Sequence, residues 1–250
     1  MTVHFVGAGP GAADLLTLRA RDLIRSAPVC LHAGSLIPPA ILAWCPPDAR
    51  VIDTSRLDLD AIEAEFRAAH AAGHDVVRLH SGDPALYSAM AEQMRRLDAA
   101  GIPYDVTPGV SAWTAAAAAL QRELTVPGVG QTVVLSRISE RSTPMPPGEE
   151  LAALAALGTT LVLHLAVQKI DAVVAELVPH HGPAAPVAVV ARASWDDELV
   201  LRGTLSTIAE QVHAAGVVRT AVIIVGAVLT AEQFPDSHLY SSTRCREDGF

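Results

Sequence analysis

Three short segments of this chain join glycine to residue types that hold ligands. Gly7-Ala8-Gly9-Pro10-Gly11-Ala12 has the G-x-G-x-x-A spacing of a dinucleotide turn. In such a turn the glycines let backbone amides approach a pyrophosphate at a helix N-terminus. Here Ala13-Asp14-Leu15 intervene before helical spacing begins, and Leu31-His32-Ala33 stand where an acid should hold the ribose. The turn therefore admits three readings: a nicotinamide or flavin site, a tight turn only, or close backbone approach to some other ligand. In Ser81-Gly82-Asp83-Pro84, Asp83 and Pro84 suit a helix start, whereas Gly82 suggests backbone packed against a ligand. Pro108-Gly109-Val110-Ser111-Ala112 departs from a nucleophile elbow, because Trp113 takes the place of the second glycine of G-x-S-x-G. Ser111 is either a helix cap or, with Ala112, a backbone contact to a ligand.

Other chemistries find little support. The ten histidines are scattered, His180-His181 lies beside Gly182-Pro183, and no H-E-x-x-H occurs, so no metal site is expected. Cys30, Cys45 and Cys245 have no CxxC spacing and read as buried or incidental thiols of a reducing cytosol. Lys169 is the sole lysine and lacks the glycine-rich lead of a phosphate loop. No Ser/His/Asp set or carboxylate pair emerges from spacing. The residues alone describe a ligand-binding α/β protein without a hydrolytic apparatus.

The elements that must position these segments alternate. Strands are expected at Val3–Val6, Val29–Leu31, Val76–Leu79 and Tyr104–Val106, with helices at Leu16–Ile24, Leu59–Ala72, Ala85–Ala100 and Ser111–Leu120. That order argues βαβ units around a parallel sheet, with ligands at the carboxyl ends of the strands. Leu124–Gly130 reads as a linker. Beyond it come strands at Thr132–Leu135, Thr160–Leu165 and Ala221–Val225, and helices at Glu149–Leu157, Gln168–Leu177 and Thr204–Ala214. Val187–Ala191 and Leu199–Arg202 flank Ser194-Trp195-Asp196-Asp197 as an antiparallel hairpin, so the second sheet should be mixed. The expected organisation is an α/β domain over 1–124, a linker over 125–131, and an α/β domain over 132–250 with a polar tail from about 235.

Composition narrows the partners. With 18 Lys+Arg against 27 Asp+Glu, the 250-residue chain carries a formal charge of −9, and no nucleic-acid partner is expected from that charge. Removing Lys169 from those 18 leaves 17 arginines. Leu151–Val167 is broken by Gly158-Thr159-Thr160, and Thr220–Leu229 is short of the roughly 20 apolar residues a membrane span needs. No membrane partner is expected. Met1-Thr2-Val3-His4 has no basic n-region, so no signal peptide is expected and the cytoplasm is the expected compartment.

Taken together, the turns resemble those of the tetrapyrrole methylases. Gly7–Gly11 followed by Asp14-Leu15-Leu16-Thr17-Leu18-Arg19 resembles their opening. Gly82-Asp83-Pro84 with Tyr87 resembles the second motif, and Pro108–Ala112 the third. Thr160–Ala166, Arg192-Ala193-Ser194, Arg202-Gly203-Thr204-Leu205 and the strand end Val225-Gly226 follow in the family's order, up to about Leu229. His32–Pro38, Trp113 and Arg192-Ala193-Ser194-Trp195 look most like a C-methylating branch on the corrinoid side. His32 stands where that branch tends to have an aromatic residue.

The resemblance implies two α/β domains with the site in the cleft between them, a homodimer, and S-adenosylmethionine as cofactor with S-adenosylhomocysteine as product. Carried over by motif, the cofactor contacts are Pro10, Gly82, Asp83, Leu86, Ser111 and Ala112, then Leu165, Ala166, Ala193, Thr204, Thr220 and Ala221. It further implies an anionic tetrapyrrole substrate bearing several carboxylates. On a chain of charge −9, such a substrate needs arginines gathered locally, each pairing its planar fork with a carboxylate. The candidates are Arg19, Arg56, Arg78, Arg137, Arg192 and Arg219, together with Gly34, Ser35 and Tyr87. The proton acceptor is not named by the sequence.

Overall fold

The computed structural model describes residues 1–138 and 143–238. Cys245 and the end of the polar tail lie outside the described residues. The chain divides into two units, Met1–Ala116 with Arg192–Glu198, and Ala117–Ala191 with Leu199–Phe250.

The first unit is built on five parallel strands: β1 (Val3–Gly7), β2 (Val29–His32), β3 (Arg50–Asp53), β4 (Val76–His80) and β5 (Tyr104–Thr107), in the order β3-β2-β4-β1-β5. β2 and β4 are buried along their whole length, as strands covered on both faces must be. On one face Phe5, Val29, Leu31 and Val76 pack against Ile62 and Phe66 of α3 (Leu59–Ala71) and Leu97 of α4 (Met90–Ala100). On the other, Val6, Cys30, Val77 and Leu79 pack against Ala20 and Ile24 of α1 (Leu18–Ser26) and Ile41 of α2 (Pro39–Leu42). Thr17 caps α1 by accepting from the Ala20 amide at 3.1 Å, and Asp58 caps α3 by accepting from Ala61 at 2.8 Å. Helix α5 (Ala112–Leu120) follows β5. The neighbouring Cys45 thiol and burial together hold the Cys30 thiol well above its ordinary pKa.

Several elements differ from expectation: α2 is not among the expected helices, and the helix expected over Thr204–Ala214 begins only at Ile208, with Thr204 ending a strand. β3 pairs with β2 over Arg50–Asp53, where no strand is apparent from the sequence, because its alternation is weak and it is largely exposed at the sheet edge. Helix α4 begins at Met90 rather than Ala85. Asp83 does not cap it; residues 81–89 form an irregular loop that ends with Ala89 in the left-handed region at φ 55°.

The second unit carries the expected mixed sheet, in the order β6-β7-β10-β8-β9. Its strands are β6 (Val133–Arg137), β7 (Thr160–His164), β8 (Pro186–Ala191), β9 (Leu199–Thr204) and β10 (Ala221–Val225). β6 and β7 are parallel, and the other neighbours are antiparallel, including the β8–β9 hairpin. Leu161, Leu163, Val187, Val189, Ile223 and Val225 turn one face towards α6 (Leu151–Ala155), α7 (Ile170–His181) and α8 (Ile208–Ala214), whose Ile170, Leu177, Ile208 and Val212 complete an aliphatic core.

Candidate functional site

In the first unit the glycine segments converge because β4, β1 and β5 are neighbours and end on one edge. The loop after β1 joins the loop after β4 through paired amides: Gly82 donates to the Gly9 carbonyl at 2.7 Å and Gly9 to that of Gly82 at 3.2 Å. Asp83 ties in the third loop, accepting from the Gly109 amide at 2.8 Å with one oxygen and from Ala85 at 2.7 Å with the other. Backbones touch here. A Cβ on Gly7 would lie 2.5 Å from Gly109 Cα and 2.8 Å from the Gly82 oxygen, and one on Gly109 would lie 2.3 Å from that oxygen, so neither Gly7 nor Gly109 tolerates a side chain. Gly82 comes within 3.6 Å of the Ala112 amide nitrogen on the same measure, at the start of α5, whose first-turn amides have no acceptor within the helix.

The Arg192–Glu198 segment closes over the glycine turn. Trp195 Nε1 donates to the Pro10 carbonyl at 2.8 Å, and its ring occupies the space a side chain on Gly11 would need. Ser194 Oγ accepts from the Ala12 amide at 3.0 Å, while the Ser194 amide donates to Glu198 at 2.6 Å. The amides of Gly9 and Ala12 thus serve protein partners. The turn leads into a single 3-10 turn, Ala13–Leu15, before α1. This is not the geometry of a pyrophosphate cradle, which needs free amides on the turn and the helix N-terminus directly behind it. Ser194 and Trp195 were part of the resemblance, yet no local signal in the sequence announces that they fasten Pro10 and Ala12.

The other candidates of this unit are distributed unevenly. Pro10 and Gly82 are buried, Leu86 is half-buried, and Tyr87 is 45% exposed with φ 52°. Gly34 is buried and Ser35 exposed in the loop after β2. Arg56 lies exposed just past β3, and Arg19 exposed in the first turn of α1. Arg192 is exposed, with φ 49°, and pairs with Asp197 at 2.7 Å; Ala193 beside it is buried. Arg78 does not reach the surface. It is 5% exposed in the middle of β4, donating to Gln93 and Thr54. Burial lowers its pKa to about 10, which leaves it a cation at neutral pH. His80 follows two residues on, with its ring 5.8 Å from that of Phe5. Burial first, and the charge of Arg78 second, push His80 down to about 3, so it is neutral at pH 7.

In the second unit, strand register shows which candidates share an edge. Arg137 pairs with His164 at the ends of β6 and β7, and Ile223 pairs with Leu163, so Arg137, Leu165, Ala166, Arg219, Thr220 and Ala221 lie on one edge. Leu165 is 69% exposed with φ 55°, and Thr220 is exposed with φ 54°. Left-handed conformations cost non-glycine residues about 1–3 kcal/mol and gather at ligand sites; Tyr87, Leu165, Arg192 and Thr220 all adopt them. Thr204 stands apart. It pairs with Pro186 at the start of β8, whereas Ala221 pairs with Ala191 at its end, about 17 Å away at ordinary strand rise. Thr204 Oγ1 instead meets Ser206 at 2.8 Å in the turn before α8.

These edges offer backbone amides and carbonyls, small residues and arginines. Among the described residues, no group of three or more His, Cys, Asp or Glu comes together as a metal cluster, and no helix is long and apolar enough to cross a membrane. The arrangement is suited to holding a ligand through shape and main-chain hydrogen bonds.

The model of the Tetrapyrrole (Corrin/Porphyrin) Methylases matches residues 2–209. The precorrin-4 C(11)-methyltransferase of Rhodococcus erythropolis is 62% identical over 98% of this chain and 99% of its own length. Among solved structures, a cobalt precorrin-4 methyltransferase, CbiF, superposes with a TM-score of 0.89 at 35% identity, over 92% of this chain and 96% of its own. The uroporphyrin-III C-methyl transferase from Thermus thermophilus, complexed with S-adenyl homocysteine, gives 0.78 at 29% identity, over 93% and 96%. With a matching family model over most of its length and so near a relative, the chain belongs to the tetrapyrrole (corrin/porphyrin) methylases.

Proposed function

We propose that the protein is an S-adenosylmethionine-dependent C-methyltransferase that methylates precorrin-4 at C11, giving precorrin-5 in cobalamin biosynthesis. The observation that carries this reading is the 62% identity, along essentially the whole chain, to the Rhodococcus erythropolis enzyme of that activity. The residues present fit the cofactor. Gly82, at φ 69°, presents bare backbone, and a Cβ there would lie 3.6 Å from the Ala112 amide nitrogen at the start of α5. The uroporphyrin-III enzyme holding S-adenyl homocysteine supports the same assignment. Pro10, Gly82, Asp83, Leu86, Ser111, Ala112 and Ala193 of the first unit, and Leu165, Ala166, Thr220 and Ala221 of the second, would hold it. Asp83 would act by fixing the loops, since both of its oxygens already accept backbone amides.

S-adenosylmethionine supplies, when bound, an electrophilic methyl group on a sulfonium. An electron-rich tetrapyrrole carbon needs no protein nucleophile to take it, so the protein's part is positional. It holds donor and acceptor carbon in line at about 3–3.5 Å and keeps water away. Arg19, Arg56 and Arg219 expose guanidinium groups to which substrate carboxylates would bind, whereas Arg137 donates to the Thr143 carbonyl at 2.8 Å and Arg192 pairs with Asp197 at 2.7 Å, partners that a carboxylate would have to share or displace. A homodimer in the cytoplasm belongs to the same reading, and sedimentation equilibrium at micromolar concentration tests the dimer.

Incubation with precorrin-4 and a 13C-methyl donor, followed by NMR, tests the function directly. Label at C11 is the expected result, and label at another ring carbon assigns a sister reaction. The similarity to a cobalt precorrin-4 methyltransferase favours one second reading, a cobalt-containing substrate; competition between the metal-free and cobalt forms decides it. Titration with NAD(P) should give no binding where S-adenosylhomocysteine binds at micromolar concentration, and the reverse result would restore the nicotinamide site at the glycine turn and with it a nicotinamide-dependent oxidoreductase.

A further inference from the structure

Arg78 is a buried cation whose hydrogen-bond partners are both neutral. Nε donates to Gln93 Oε1 at 3.1 Å and Nη1 to Thr54 Oγ1 at 2.9 Å. Placing an arginine in a sheet core without an acid is costly, and packing alone does not require it. Its neighbours across the sheet, Phe5 and Leu31, are apolar. What the guanidinium does is orient Thr54. With its oxygen accepting from Arg78, the Thr54 hydroxyl sends its own proton to the His32 carbonyl at 2.9 Å, and the Thr54 amide reaches the same carbonyl at 2.9 Å. A chain of polarised hydrogen bonds therefore runs from Gln93 through Arg78 and Thr54 to the end of β2.

That end of β2 leads directly into Gly34 and Ser35. Gly34 rests on the strip that contains Thr54: a Cβ there would lie 2.8 Å from Ser55 Cβ. Ser55 is in turn fastened by its amide to Asp53 Oδ1 at 2.8 Å. Residues 53–55 are thus the floor of the loop after β2, and Arg78 pins that floor from below.

We propose that Arg78 is a positioning residue for the substrate: acting through Thr54, it fixes the floor beneath Gly34 and Ser35 and so sets affinity for the anionic tetrapyrrole. This rests on the methyltransferase reading above. Arg78 acts here without meeting a substrate carboxylate, which separates it from the exposed arginines.

The test is steady-state kinetics of the full-length enzyme, with S-adenosylhomocysteine affinity measured alongside. Arg78→Met should raise KM for precorrin-4 about tenfold, with kcat and S-adenosylhomocysteine affinity within about twofold of wild type. Thr54→Val should reproduce most of that rise, Thr54→Ser should remove it, and the double variant Arg78→Met/Thr54→Val should be no worse than Arg78→Met alone. A general loosening of the core would instead lower kcat and cofactor affinity together and would not distinguish serine from valine. If Arg78→Met does not fold, the Thr54 pair still decides. Unchanged KM in Thr54→Val, or equal KM in the serine and valine variants, overturns the proposal. Wild-type enzyme that binds S-adenosylhomocysteine but does not turn over precorrin-4 overturns the functional reading on which it rests. Wild-type turnover with an unmoved KM in the variants overturns this proposal alone.

Discussion

The two units handle buried polarity in opposite ways. The first encloses His32, Thr54, Arg78, His80, Gln93 and Thr107 among its strands and helices. The second closes on an aliphatic cluster running from Leu151 to Val225, with Ser136 and Thr160 as the buried polar residues among its described ones. Parallel strands explain part of the contrast. All five strand ends of the first sheet point to one edge, so loops, glycine contacts and the polar groups that brace them accumulate there. In the antiparallel part of the second sheet, ends alternate between edges, and Thr204 falls on the side away from Leu165 and Thr220. The first unit is built to hold loops in place, the second to be a firm aliphatic base, and each carries left-handed residues at its edge.

The contrast breaks most severely if a backbone contact in the first unit is disturbed. Gly109→Ala would drive a Cβ into the Gly82 carbonyl and the Gly7 backbone. Because backbone cannot rotate aside, we expect a loss at or above the usual overpacking cost of about 1–3 kcal/mol, with S-adenosylhomocysteine binding abolished in calorimetry. Binding that survives would show the three loops to be independent of one another. Leu177→Ala in the second core should lower stability by about 2–5 kcal/mol in denaturant titration, yet leave S-adenosylhomocysteine affinity unchanged at 25 °C. A parallel loss of affinity would erase the division of labour.

A third experiment uses pH. His80 is held near 3 when folded and returns to about 6.5 when unfolded. The unfolded state therefore takes up the extra proton between those values. His80 lets stability be full above pH 6.5 and removes it as pH falls towards 3, with a slope approaching 1.4 kcal/mol per pH unit. His80→Phe should be flatter than wild type between pH 6.5 and 5; parallel profiles would mean that the ring is protonated in the folded protein. The smallest effect expected is that of Trp195→Phe. It deletes one hydrogen bond to Pro10 while keeping most of the ring over Gly11, about 1 kcal/mol. It should appear as a few-fold weaker binding of S-adenosylhomocysteine, and unaltered affinity would make the Arg192–Glu198 segment a passive cover.

Much of this was legible in the residues, and the exceptions share a cause. The alternation of β1, β2, β4 and β5 with helices, the mixed second sheet and the β8–β9 hairpin all follow from local periodicity and turn chemistry. So does the gathering of Gly9, Gly82 and Gly109, once parallel strands place their ends together. Asp83-Pro84 suited a helix cap, while Gly82 before them pointed to a ligand loop. The outcome depends on the Gly109 amide, 26 residues away, taking the Asp83 carboxylate. β3 was hidden because an exposed edge strand needs no alternation. Arg78 was expected, like five other arginines, to meet substrate carboxylates. Its burial is decided by Thr54 and Gln93, whose side chains carry no signal of their own.

The hydrogen bond from Trp195 to Pro10 spans 185 positions, and this has a consequence in time. A growing chain makes the glycine turn early and its cover late, after most of the second unit has been synthesised. Until residues 192–198 emerge, the first unit lacks the piece that fastens Pro10, Gly11 and Ala12, and such long-range closures are slow to form. A nascent chain stopped before position 192 should therefore expose the turn to proteolysis, and protection should arrive together with the hairpin that carries Trp195.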